Sequence, residues 1–324
     1  MSQTIYSATR ASLLLLVVLS ALVAPNFSKI ILDYRIPLTA KVADLTVKTT
    51  ALGKLTKDTI QGTNSLAEAY EFLKPATGKF QQMVLKINDK SIFQDQKGFR
   101  RNDIVPVYDP VSIEKDIKTY HHSFIVKKDG KLDLRHGYLL ASVEFAKADG
   151  EFESSEKLLC TPFKSDNTAG TKSPDADFFR VRDINFKTLF DVKMIPDTIF
   201  NFAIEVDWKQ NKLSVYHSTG NDKLKQVVKP TAFVATNEKA KNAAGTGEWH
   251  IQMIKEPLPN KADPEKERSD VPHKGIQESN IDESIIHFRN FIEDKTTTDP
   301  DGPDAIATGG TAAIDAARQK TRKP

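Results

Sequence analysis

Short alternating runs of apolar and polar residues dominate the chain. In Asn201–Trp208 (NFAIEVDW), Phe202, Ile204, Val206 and Trp208 fall on one face and Asn201, Ala203, Glu205 and Asp207 on the other. That is the period-two pattern of a half-buried strand. Trp249–Ile254 alternates in the same way, with Trp249, Ile251 and Met253 opposite His250 and Gln252. Met83–Ile87, Tyr120–Lys127, Tyr138–Phe145 and Leu213–His217 read as further strands, and Ile30–Arg35 is an apolar, β-branched run closed by Pro37. Turn residues punctuate these runs: Asn88-Asp89, Asp129-Gly130, Asp149-Gly150, Asn211 and Gly220-Asn221. Asp129-Gly130 after Tyr120–Lys127 predicts a tight hairpin. Many short strands at this spacing predict an all-β fold, a two-sheet antiparallel β-sandwich of the jelly-roll kind, over residues 29–258.

A few stretches depart from the alternation. Ser65–Leu73 (SLAEAYEFL) has a serine start and early glutamates, the signature of a short capped helix. Ser12–Ala24 is an apolar run of the length of a secretory h-region, short of the roughly 20 residues a membrane span needs. Residues 1–24 are therefore expected to be a signal peptide, with an uncleaved anchor as the alternative because Pro25 follows the small-residue site at Ala24. After Pro257 the composition turns charged and rich in Thr, Asp, Pro and Gly. Residues 259–324 are accordingly read as a largely disordered tail. Within it, Ile281, Ile285, Phe288 and Ile292 fall near helical spacing, which predicts an amphipathic helix over Ile281–Glu293. Ala312–Arg318 reads as a weaker one.

Composition narrows the function classes. The 324 residues carry 46 basic and 43 acidic side chains, a net charge of +3, interspersed rather than clustered. This balance gives no footprint for nucleic acid. One cysteine, Cys160, excludes an internal disulfide and reads as a small apolar residue at a strand end. No cofactor motif is present. A metal site built from His121, His122 and His136 is not expected, because adjacent residues on a strand point to opposite faces.

The candidate chemistry centres on Lys90–Val105 (KSIFQDQKGFRRNDIV). Strand periodicity puts Phe99, Arg101 and Asp103 on one face. That arrangement is either an ion-pair ladder or a charged strand lining a cleft, with Arg101 holding a polar substrate and Asp103 transferring protons. His136 and Tyr138 lie two apart, as do His250 and Gln252, and His121 is a further polar candidate.

Several blocks, in order, resemble glycoside hydrolase family 131, secreted fungal β-glucanases with a β-jelly-roll fold. Lys90–Val105 is similar to that family's K-S-I-F … G-F-R-R-A-E-L, Lys118–Ser123 to K-T-L-H-F-S and Arg135–Leu140 to S-H-E-Y-x-L. Asn201–Asp207 resembles H-N-F-A-x-x-L-D, Val215–Gly220 resembles V-Y-Y-S-T-G, and Gly245–Pro257 resembles G-x-G-x-Y-H-F-G-x-L-K-x-P. The resemblance implies an open groove that binds β-glucan without a cofactor. It implies Asp103 and His136 as catalytic candidates and Arg101, His121, Tyr138, His250 and Gln252 as substrate contacts.

The chain also departs from the pattern. Asp103 replaces a glutamate, Gly137 stands where the family has the glutamate of H-E-Y, and Phe200 stands where it has a histidine. Glycoside hydrolysis needs two carboxyl groups flanking the bond, so the matched positions supply one. Glu144 and Glu205 are candidates to substitute for the missing carboxylate, although neither lies at a family acid position. The reading is a secreted, monomeric, β-glucan-active protein resembling an endo-β-glucanase on β-1,3-, β-1,4- or β-1,6-glucan, with reduced hydrolysis. A non-catalytic glucan-binding protein on the same scaffold is the first alternative. A polysaccharide lyase using His136 and Tyr138 is the second.

Overall fold

The computed structural model describes residues 28–76, 78–145, 159–161, 176–183, 187–233, 244–268 and 270–303. The expected signal segment, the Asp149-Gly150 turn and the weak helix at 312–318 lie outside them. Sixteen strands appear in chain order: β1 (Ile30–Asp33), β2 (Ile36–Pro37), β3 (Thr56–Ile60), β4 (Tyr70–Leu73), β5 (Phe80–Asn88), β6 (Arg100–Pro106), β7 (Ile117–Ile125), β8 (Tyr138–Phe145), β9 (Leu159–Thr161), β10 (Phe178–Arg182), β11 (Thr188–Lys193), β12 (Phe200–Asp207), β13 (Lys212–Thr219), β14 (Lys225–Ala232), β15 (Gly247–Lys255) and β16 (Asp282–Glu293). They form two sheets of nine and seven strands. The larger runs β14-β13-β12-β7-β16-β5-β2, with β1 on β16 and β4 on β5. The smaller runs β11-β10-β9-β8-β15-β6-β3. Every pairing among the described strands is antiparallel. The expected all-β sandwich is the fold.

The alternation places the core as predicted. Phe200, Phe202, Ile204 and Val206 of β12 meet Trp249, Ile251 and Met253 of β15 in one apolar cluster between the sheets. Trp249 is buried, packs edge-on to Tyr120 with ring centroids 6.5 Å apart, and donates its indole N–H to His122 at 3.3 Å. The interior therefore contains polar groups that strand periodicity placed inward. Asn102 is one, donating to the backbone carbonyls of Ala69 and Lys86.

Three local expectations are corrected. Ile281–Glu293 is not a helix. Asp282–Glu293 is a central strand, paired with β5 on one side and β7 on the other. Both its faces are covered, Ile285 and Ile292 by the core and Ile286 and Phe288 by a smaller cluster outside it, so no polar face marks it. A bulge between Phe288 and Phe291, with Arg289 at φ 54°, shifts the phase and makes the apolar spacing look helical. The strands of the sandwich thus run well past Pro257.

Asp129-Gly130 does not close a hairpin either. It sits in a 3-10 turn, Lys128–Gly130, and the chain then crosses from β7 in the larger sheet to β8 in the smaller. Ser65–Leu73 is only half a helix. Ser65 and Glu68 form a capping box on one turn, Leu66–Ala69, and the chain then extends as β4. The turns at Asn211 and Gly220 do close β12–β13 and β13–β14.

Candidate active site

The middle of the smaller sheet is built from β6, β15 and β8. Since Asn102 and Ile104 of β6 and Trp249, Ile251 and Met253 of β15 face inward, Arg101, Asp103, His250 and Gln252 face outward. Register brings them together: Gln252 lies opposite Asp103, His250 opposite Ser142, and Glu248 opposite Glu144. Gln252 donates to the Ser142 hydroxyl at 2.9 Å.

Arg101 and Asp103 form a buried ion pair through the guanidinium Nη2 and a carboxylate oxygen. A second Arg101 nitrogen donates to Gln96 at 3.1 Å, and the guanidinium lies 5.5 Å from the centroid of the Phe93 ring. The loop before β6 therefore roofs this end of the face. Arg101 is turned to its neighbours rather than to solvent.

His250 joins the pair to the carboxylates beyond it. Its Nδ1 lies 3.4 Å from Asp103, and its Nε2 lies 3.3 Å from both Glu144 and Glu248. Burial works against the imidazolium, but Asp103, Glu248 and Glu144 outweigh it and lift the His250 pKa to about 9. Burial pushes the Asp103 carboxyl up, and Arg101 with His250 overcomes that and holds it below its usual range. The two glutamates diverge. Burial raises Glu144, reinforced by the negative charge of Asp103 and Glu248 against the pull of His250 and Arg101. His250 above all, helped by Lys57 against the effect of burial, lowers Glu248 to about 2.

Solvent access separates these carboxylates. The Asp103 side chain is 0% exposed, whereas Glu144 keeps 16% and Glu248 keeps 35%. The strand pattern made Glu248 legible, since it precedes His250 by two residues and shares its face, but sequence reading passed over it.

The other predicted site residues lie elsewhere. His121 is on the outer face of the larger sheet, bonded to Glu293 at 2.7 Å and stacked on Phe291. The chain after β16 crosses that face, with Thr296 reaching Thr119 and Glu205. The expectation that His121 shares a groove with Asp103 is corrected, and Glu205 is bound up under the same segment. Phe200 points into the core beside Phe179 and His217. The position where the family carries a histidine is therefore an interior one here.

His136 and Tyr138 belong to a second polar cluster. The Nδ1–H of His136 donates to the Glu256 carbonyl at 2.7 Å, and its Nε2 faces Glu278 at 2.9 Å. Tyr138 turns inward and donates to Glu283 at 2.5 Å. Buried Lys255 pairs with both Glu278 and Glu283. Asp133, His136 and Glu278 converge within 4.8 Å. Arg135 on Asp133 and Lys255 on Glu278 already supply the cationic charge there. Glu278 sits in a loop with no periodicity, so no sequence signal pointed to it.

The fold is thus a two-sheet antiparallel β-sandwich with carboxylates gathered around His250 on the outer face of the smaller sheet. The chain belongs to glycoside hydrolase family 131: the model of the glycoside hydrolase 131 catalytic N-terminal domain matches residues 30–298. The match extends through β16, which belongs to the same fold. The chain is similar in structure to the catalytic domain of a family 131 β-glucanase from Podospora anserina, at TM-score 0.61 and 19% identity, over 85% of this chain and 100% of that one. It is also similar to the family 131 catalytic domain from Coprinopsis cinerea, at TM-score 0.59 and 14% identity, over 86% of this chain and 100% of that one. Among curated proteins, none matches by sequence.

Proposed function

We propose that this protein is a secreted β-glucan-active member of its family. It binds the polymer on the outer face of the smaller sheet and hydrolyses it slowly by acid–base chemistry. The observation that carries the reading is the group of solvent-reached carboxylates around His250 on that face. Family membership over residues 30–298 supports a polysaccharide as substrate. The apolar run Ser12–Ala24 supports export.

Slow turnover follows from the departures. Gly137 carries no carboxylate, and Asp103 is sealed between Arg101 and His250. A reducing-sugar assay and a pull-down on insoluble β-1,3-, β-1,4-, β-1,6- and mixed-linkage glucans test the reading. Binding to at least one glucan is expected, with slow release of reducing ends, both lost in His250→Ala. Absence of binding to all of them would sink it.

One observation favours a second reading, a glucan-binding protein without turnover. The family-position carboxylate, Asp103, has no exposed surface to offer a substrate. Pull-down without reducing ends would select that reading. Lyase chemistry gains no support, because the Tyr138 hydroxyl that would serve as base is committed to Glu283 in the interior. Unsaturated products absorbing in the ultraviolet would restore it.

A further inference from the structure

The smaller sheet presents two carboxylates that the family pattern does not use. Glu144 and Glu248 are directly opposed residues of β8 and β15, on the same outer face as Arg101 and Asp103. Opposed antiparallel residues have Cβ atoms about 4.5–5.5 Å apart, so their side chains act on one space. Both also reach one atom, His250 Nε2, at 3.3 Å each. Their oxygens are therefore no farther apart than twice that distance.

The imidazole they share is itself buried and aimed between them. Both its nitrogens lack an aligned hydrogen bond among the described residues, its contacts being ionic. Behind it, Asp103 and Arg101 hold the ring from the closed side. In front, the two glutamates keep the exposed surface that Asp103 lacks.

We propose that Glu144 and Glu248 are the catalytic pair of this protein, Glu144 as proton donor and Glu248 as nucleophile, with hydrolysis retaining the anomeric configuration. This rests on the reading of the protein as β-glucan-active. The bound set by the two 3.3 Å contacts points to retention, because it admits the roughly 5–5.5 Å of retaining pairs and only the lowest edge of the roughly 6.5–9.5 Å that inverting pairs keep to admit a water. The divergent environments assign the roles. Burial keeps Glu144 protonated at higher pH, while His250 keeps Glu248 ionised.

In the first step a Glu248 oxygen bonds to C1 as the bond from C1 to the leaving oxygen breaks. That oxygen keeps the electron pair and takes the Glu144 proton. In the second step Glu144, now a carboxylate, takes a proton from water. The water oxygen bonds to C1 and the ester to Glu248 breaks. Asp103 touches no reacting atom. It is a positioning residue acting through His250.

The test uses the whole protein with soluble β-glucan and with dinitrophenyl β-cellobioside. Proton NMR of the first-formed product should show the β anomer, and an α anomer would overturn the assignment. Glu144→Gln and Glu248→Gln should each lower kcat on glucan by about 10²–10⁴-fold. Parent-like kcat in either variant would overturn it. With azide and the aryl substrate, Glu248→Ala should form the α-glycosyl azide and Glu144→Ala the β-glycosyl azide, outcomes that a merely structural role would not produce. Asp103→Asn should shift the pH profile of kcat rather than abolish turnover.

If a variant fails to fold, the unaltered protein still decides. A 2-deoxy-2-fluoro-β-cellobiosyl fluoride label should appear on Glu248 by peptide mass mapping, and a label elsewhere, or none, overturns the proposal. A parent that binds glucan without turnover defeats the catalytic pair and leaves the binding reading standing. A parent that binds no glucan defeats the reading beneath it.

Discussion

Arg101 and Asp103 form an ion pair in which the side chains are 2% and 0% exposed, two residues apart on one strand of the smaller sheet. Such a pair adds little net stability when intact, because desolvation offsets the attraction. Its loss is another matter. It leaves Asp103 buried with, among the described residues, the His250 contact at 3.4 Å to offset its charge.

Arg101→Met should therefore destabilise the protein by roughly 3–5 kcal/mol, read as a lower urea midpoint at an unchanged slope. Arg101→Met combined with Asp103→Leu should recover much of that loss. A single variant as stable as the parent would show that His250 alone neutralises the carboxylate.

Stability should fall with alkaline pH. His250 is lifted from an ordinary 6.5 to about 9 in the folded protein, where its carboxylates outweigh burial. A cation held above its unfolded value stabilises fully below that value and loses this as the pH rises through the folded one. Glu144, raised by burial, pulls the same way, since its folded state favours the protonated form. The urea midpoint should drop between these two pH values, on the order of 3 kcal/mol for His250. His250→Gln should flatten the curve, and an equally steep curve in that variant would assign the slope to other groups.

The C-terminal strand should be indispensable. Asp282–Glu293 lies between β5 and β7, and removing it leaves two unpaired strand edges in the middle of the larger sheet. A chain ending at Ile281 should give no cooperative thermal transition by circular dichroism. A stable, cooperatively melting product would mean that the sandwich closes without it.

Gly302 should resist even a methyl group. It has φ +69°, and a Cβ there would lie 2.4 Å from the Phe291 ring. That ring is held by the His121 stack at 4.0 Å and by Arg35 at 5.0 Å from its centroid, so it has little freedom to withdraw. Gly302→Ala should cost about 1–3 kcal/mol in unfolding free energy, from strain and overpacking together. An unchanged melting temperature would show that the segment can lift without penalty.

The alternation in Asn201–Trp208 and Trp249–Ile254 was enough to determine the all-β class, the core faces and the outward placement of His250 with Gln252, and the period of Lys90–Val105 put Arg101 and Asp103 on one face. Side-chain direction in a strand depends on local geometry alone, so the residues carry that information without their partners. Pairing is not local. Which strands neighbour one another, and in what register, set Glu248 opposite Glu144, placed His121 in the other sheet, and carried the chain from β7 across to β8. The strand at Asp282–Glu293 escaped because it is covered on both faces and its phase breaks at Arg289. Burial was also a tertiary decision. Asp103 and Glu248 are both carboxylates on outward strand positions, yet only packing by Arg101, His250 and the loop around Phe93 seals the first and leaves the second open to solvent.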